Sequence, residues 1–126
     1  MEFKSIISSH IEEHKNVINS FDDEIINKIE QVSNILVNVL SNGNTIFWCG
    51  NGGSAGDSQH LAAELIGRYK KDRRPLKSLA LTTDSSAITC IANDYSYEKV
   101  FERQIEGLGV NGDALIGITT SGNSAN

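Results

Sequence analysis

The sequence has little that would brace it covalently or carry it into a membrane. Two cysteines, Cys49 and Cys90, one proline, Pro75, and one methionine stand in 126 residues. Both cysteines are embedded in apolar sequence, which predicts buried free thiols in a reducing compartment, not a disulfide or a zinc site. No apolar run approaches the ~20 residues that cross a bilayer. The N-terminal Met1-Glu2-Phe3-Lys4-Ser5 lacks the basic stretch and apolar core of a secretory signal, so a cytoplasmic protein is expected. Positive charge is also short. Eleven Lys and Arg against sixteen Asp and Glu give a net charge of −5, which argues against a nucleic-acid binder with a basic face. A single phosphate needs no such face, because backbone N–H groups and hydroxyls at a helix N-terminus can hold it. The one basic cluster, Arg68-Tyr69-Lys70-Lys71-Asp72-Arg73-Arg74, reads as a solvated loop after a helix, with Arg68 set apart as a ligand candidate.

What is present suits one domain with a modest core. Ile6, Ile7, Ile11, Val17 and Ile18 fall at approximate helical spacing and end near Phe21. Ile25, Ile29, Val32, Leu36 and Val39 then recur at steps of four and three until Asn42-Gly43. Residues 1–43 therefore read as a helical hairpin whose seam calls for a partner helix, a surface for packing and oligomerisation. His10 and His14, one turn apart, read as a solvated or packed pair. The character changes at Asn44. Thr45-Ile46-Phe47-Trp48-Cys49 predicts a buried strand, and a helix follows from about Ala55 to Tyr69, apolar at Leu61, Ala62, Leu65 and Ile66. Leu79-Ala80-Leu81 is a second strand. Ser85 or Ser86 could cap a short helix through Ala92, and residues 96–107 read as another. Ala114-Leu115-Ile116-Gly117-Ile118-Thr119 is a third strand. Strands alternating with helices imply an α/β fold, a parallel sheet flanked by helices in a three-layer sandwich, with ligands at the carboxyl ends of the strands. Three strands with an open edge make a thin sheet, so residues 1–126 read as one domain that is incomplete at its C-terminus.

Two loops share one design. Gly50-Asn51-Gly52-Gly53-Ser54 and Thr119-Thr120-Ser121-Gly122-Asn123-Ser124 each follow a buried strand and should open a helix. Glycine allows close backbone approach, hydroxyls donate hydrogen bonds, and a helix N-terminus adds positive potential, so both read as phosphate cradles. The first loop with Ala55 also satisfies the dinucleotide fingerprint G-x-G-x-x-A, but the acid expected about 20 residues on is missing and Asp84 lies farther away. His60 and Glu64 sit one turn apart on the intervening helix, so both project from one face. They read either as a surface pair, or as a carboxylate base with a neighbouring imidazole, or as two ligands of a divalent metal lacking a third.

These residues together resemble the SIS (sugar isomerase) domain family. The resemblance runs along the whole chain through Cys49-Gly50-Asn51-Gly52-Gly53-Ser54, Gln59-His60-Leu61-Ala62-Ala63-Glu64-Leu65, Gly67-Arg68-Tyr69, Ala92-Asn93-Asp94-Tyr95 and Gly117-Ile118-Thr119-Thr120-Ser121-Gly122-Asn123-Ser124. It implies a SIS-type fold and an aldose–ketose isomerase that interconverts sedoheptulose 7-phosphate and D-glycero-D-manno-heptose 7-phosphate through an enediol, for lipopolysaccharide or capsule. It implies substrate contacts from Asn51, Gly52, Gly53, Ser54, Arg68, Asn93, Asp94, Thr119, Thr120, Ser121 and Ser124. Glu64 would be the general base, and His60 and Glu64 would be zinc ligands in members that bind zinc; no nucleotide cofactor is implied. Homotetramers with sites between subunits, and no nucleic-acid or membrane partner, are further expectations. Thr119 stands where many relatives have serine, which keeps the hydroxyl. The family's later strands and C-terminal helix, with a glutamine and histidine of the site, lie outside these residues, so the 126-residue piece alone is expected to be inactive.

The nearest rival is a non-catalytic SIS protein that binds the bacterial replication initiator, similar in both loops but lacking the glutamate at the position of Glu64. A SIS-type transcription regulator would need a helix-turn-helix domain that the N-terminal helices do not resemble. A dinucleotide-dependent oxidoreductase is more distant still.

Overall fold

A computed structural model describes residues 3–126. The chain divides into two compact units, one ending at Ile35 and the other running Leu36–Asn126. The first holds α1 (Phe3–Asn19) and most of α2 (Asp23–Ser41). Asp22 caps α2 by accepting from the Ile25 N–H at 2.9 Å, and Asp23 and Glu24 add negative charge to its first turn, where the helix dipole favours it. No residue of α1 is buried, and Ile7, Ile11, Ile29 and Val32 are all exposed. The predicted apolar stripe is real as a pattern, but only its last turn finds a core: Leu36, Val39 and Leu40 pack with Ile46 and Trp48. The division into compact units falls inside α2, and α2 itself ends at Ser41, before β1 begins at Ile46.

In the second unit β1 (Ile46–Gly50) lies between β2 (Ser78–Ala80) and β3 (Ala114–Ile118), all parallel, in the order β2-β1-β3. Alternating side chains of β1 divide the core between the two faces. Ile46 and Trp48 join Val39, Ala62 and Ala80 on one side, and Phe47 and Cys49 join Leu81, Val100 and Phe101 on the other. A central parallel strand buried on both faces needs the continuous apolar run seen at 46–49. The Trp48 indole N–H, buried with it, donates to the Ser78 hydroxyl at 2.8 Å across the strand pair, so neither polar atom is left unpaired.

Several local readings change. Helix α3 spans Gly53–Ile66 and buries Ser54, Ser58 and Ala62, whereas Leu61 and Ile66 are exposed. Small side chains one turn apart let the helix lie close on β1, and Ser58 satisfies its buried hydroxyl on the Ser54 carbonyl at 2.8 Å. The basic cluster is not wholly solvated: Arg73 is half-buried and donates to the Glu64 and Leu65 carbonyls at 2.8 and 2.9 Å, capping the end of α3. Helix α4 (Ser85–Asp94) is capped by Asp84, which accepts from the Ala87 N–H, and not by Ser85 or Ser86. The helix expected over 96–107 is a one-turn 3-10 segment, Tyr97–Lys99, followed by α5 (Glu102–Leu108). Val100 and Phe101, between the two, keep helical backbone angles and are buried in the core. Cys49 is buried as expected, with burial pushing its thiol pKa up, but Cys90 is exposed.

Asp113 fastens the turn before β3 to the start of β1. Its carboxylate accepts from the Thr45 N–H at 2.7 Å and the Val110 N–H at 2.9 Å, and these bonds hold its pKa below the usual aspartate value. The folded state therefore favours the charged form, so this stabilisation is present above the ordinary aspartate pKa of about 4 and is lost as pH falls through the lower folded value. Asp113→Asn should cost about 1–2 kcal/mol at pH 7. Thermal unfolding should show the gap from wild type narrowing below pH 4, and a pH-independent gap would assign the loss to something other than charge.

Candidate functional site

Loop 50–54 carries β1 into α3. Gly50 has no room for a side chain, since a Cβ there would stand 2.7 Å from the Ser54 carbonyl oxygen. Gly52 has φ +56°, the left-handed region that glycine occupies without strain. The turn closes through Ser54 N–H to Asn51 C=O at 3.0 Å and Ala55 N–H to Gly52 C=O at 3.1 Å. The glycines are thus explained by the tightness of a strand-to-helix turn that aims the α3 N-terminus at the carboxyl edge of the sheet.

Loop 119–124 leaves the adjacent strand at the same edge. Thr119 Oγ1 accepts from the Gly122 N–H at 3.0 Å, Ser121 Oγ accepts from the Asn123 N–H at 3.3 Å, and Gly122 has φ +68°. Thr120 and Ser124 are exposed. Asn51 of the first loop reaches Asn126, two residues past the second. Its amide exchanges hydrogen bonds with that of Asn126, at 2.8 and 3.0 Å, and its Oδ1 also accepts from the Tyr97 hydroxyl at 2.9 Å. Around this junction lie a cavity of about 120 Å³ bounded by Gly50, Gly52 and Thr82, and one of about 360 Å³ bounded by Glu98, Ser124 and Asn126; Asn51 and Tyr97 border both.

The other predicted residues stand apart from this junction. His60 and Glu64 border a larger groove, about 590 Å³, walled by Leu36, Leu40, Trp48 and Leu65. The Glu64 side chain is 34% exposed and that of His60 74%, with His60 Nε2 3.5 Å from Glu64 Oε1. Helix α3 bears a second acid that the sequence reading passed over, Asp57, exposed and two turns nearer the loop. Arg68 is exposed beyond the end of α3. Asn93 and Asp94 end α4: Asn93 Nδ2 donates to Asp94 Oδ1 at 2.8 Å, and the Cys90 thiol approaches Asp94 Oδ2 at 3.4 Å. These two contacts, that from Asn93 foremost, lower the Asp94 pKa and keep it an ionised acceptor, while the same carboxylate pushes the Cys90 thiol up. As a metal site, His60 and Glu64 supply two donors, and among the described residues no group of three His, Cys, Asp or Glu comes together. Two donors fall short of the three or four protein ligands zinc takes, so no step is derived through a metal.

A family model described as SIS domain matches residues 9–126. The chain belongs to the SIS domain family. Among SIS relatives it is 54% identical over 123 residues to the phosphoheptose isomerase of Aliarcobacter butzleri, covering 98% of this chain and 65% of that protein. It is 60% identical over 98 residues to the enzyme of that name from Akkermansia muciniphila, covering 78% of this chain and 52% of that one. The fold superposes on the solved phosphoheptose isomerase of Neisseria gonorrhoeae with a TM-score of 0.89 at 40% identity, covering 98% of this chain and 64% of the other. For the Francisella tularensis phosphoheptose isomerase the TM-score is 0.85 at 34% identity, covering 99% and 63%. The chain thus spans between about half and two-thirds of these SIS proteins. No helix among the described residues is long and apolar enough to cross a membrane.

Proposed function

We propose that this protein is an aldose–ketose isomerase converting sedoheptulose 7-phosphate to D-glycero-D-manno-heptose 7-phosphate, a cytoplasmic step toward lipopolysaccharide or capsule. The observation that carries the reading is Glu64: a carboxylate one-third exposed at the wall of an apolar groove, on the helix opened by loop 50–54. The similarity to phosphoheptose isomerases along nearly all of the chain supports it. Loop 119–124 holds the phosphate through the hydroxyls of Thr119, Thr120, Ser121 and Ser124 and neighbouring amides, and loop 50–54 adds the backbone of Gly52, Gly53 and Ser54. The ionised Asp94, with Asn93, accepts from sugar hydroxyls, and Arg68 adds positive charge near the ligand. Glu64 removes the proton from C1 of the ketose as the C2 carbonyl oxygen gains one. The resulting enediol takes the proton back at C2 as the C1 hydroxyl gives one up, leaving the aldose. A divalent zinc, where bound, would take His60 and Glu64 with donors outside this set and would polarise the sugar's carbonyl.

Assembly as a homotetramer with sites between subunits belongs to the same proposal. In one chain the loops and Glu64 open into separate cavities, and Glu64 lies ten positions along the helix from Ser54, roughly 15 Å. The exposed apolar side chains of α1 and α2 are surface for such contacts. The test is direct: the intact protein, given sedoheptulose 7-phosphate, should form an aldose 7-phosphate. Tight binding without turnover would instead favour the non-catalytic, initiator-binding type of SIS protein.

A further inference from the structure

We infer that Tyr97 is a positioning residue for the ligand loops, acting through Asn51. The 3-10 turn that carries it is pinned to the sheet. Val100 and Phe101, immediately after the turn, are 1% and 5% exposed in the core. Gln104 of α5 donates to the Leu81 carbonyl at 3.0 Å and to the Val100 carbonyl at 2.8 Å, tying the same stretch to the end of β2. These buried side chains and the Gln104 bonds make the segment a fixed post. From that post the Tyr97 hydroxyl reaches Asn51 Oδ1 at 2.9 Å.

Asn51 belongs to loop 50–54, and its Oδ1 accepts from both Tyr97 and Asn126 while Nδ2 donates to Asn126. An amide engaged at both ends is held in place, at the residue that leads into Gly52 and the α3 N-terminus. Without the tyrosine hydroxyl the Asn51 side chain keeps only the Asn126 contact, and the loop samples orientations that a bound anion must then select from. The cost falls on binding, because the loop must be ordered before the ligand is held. The residue borders both cavities at the junction, so the effect is local to them.

This inference rests on the reading that the two loops hold a sugar phosphate, and the test separates the two. Tyr97→Phe removes only the hydroxyl. In the intact protein, KM and Kd for sedoheptulose 7-phosphate should rise ~3–10-fold, the worth of one such hydrogen bond, while kcat and the thermal midpoint stay near wild type. Amide hydrogen exchange across 50–54, read without ligand, should accelerate. Combined with Asn51→Ala, Tyr97→Phe should add nothing further to the loss of affinity. Unchanged exchange, unchanged affinity, or an effect additive with Asn51→Ala would each overturn the inference. A wild-type protein that binds the sugar phosphate but does not turn it over would sink the isomerase reading alone. One that binds none would still leave the exchange comparison to decide the role of Tyr97.

Discussion

Glu64→Gln is expected to lower isomerase turnover of the intact protein by ~100-fold or more while leaving substrate affinity within about tenfold. Glutamine keeps the size and one acceptor of glutamate but cannot take a proton from carbon. The groove around Glu64 can bear the change, because its walls are mostly apolar side chains and the polar approach to the carboxylate among the described residues is that of His60 at 3.5 Å. A loss confined to turnover is what removal of a base predicts, whereas a loss of packing would appear as instability. Proton transfer requires the carboxylate within ~3 Å of the carbon-bound hydrogen, so the aspartate variant, shorter by one methylene, should also be impaired. Metal content must be measured on the same samples, since loss of a carboxylate would loosen any ion held with His60. Near-normal turnover in Glu64→Gln would transfer the role to another acid, with Asp94 at the end of α4 first and Asp57 on α3 second.

Replacing Ser121 and Ser124 together by alanine should weaken sugar-phosphate binding by ~2–4 kcal/mol, since each hydroxyl removed is a donor to a charged group. Ser121 has a further duty, its hydroxyl accepting from the Asn123 N–H at 3.3 Å, so part of its loss will come through the loop's own shape. Ser124 makes no such bond within the loop and borders the cavity between the two loops. Calorimetric titration of the single and double variants would separate the contributions. Affinity unchanged in the double variant would remove the phosphate from loop 119–124.

Much of the fold was legible because it rests on short-range chemistry. The buried run at 46–49, the glycines at 50, 52 and 53 and the stop at Asn42-Gly43 mark β1, the turn and the end of α2 to within a residue or two. The parallel order follows from strands that alternate with helices. The readings that failed concern which of several suitable residues is used. Cys90 sits among apolar neighbours, yet its helical phase faces it outward. Arg73 is one of five basic residues in its cluster, yet only it reaches the carbonyls that end α3. The apolar stripes of α1 and α2, read from the sequence as surface for packing and oligomerisation, are largely exposed among the described residues, and the last turn of α2 is what joins the core.

The sequence by itself determined the chemistry available: two hydroxyl- and glycine-rich loops after buried strands, an acid and an imidazole one turn apart, and the motif blocks that resemble the SIS domain family. Tertiary structure alone decided how those groups are shared out. Asn51 of the first loop reaches Asn126, and Glu64 opens into a groove of its own. Tyr97 reaches Asn51 from 46 positions away, beside Val100 and Phe101 in the core. No spacing rule records that pairing, because hydrogen bonds between distant segments are set by where the core holds the backbone, and a core is a property of the whole chain.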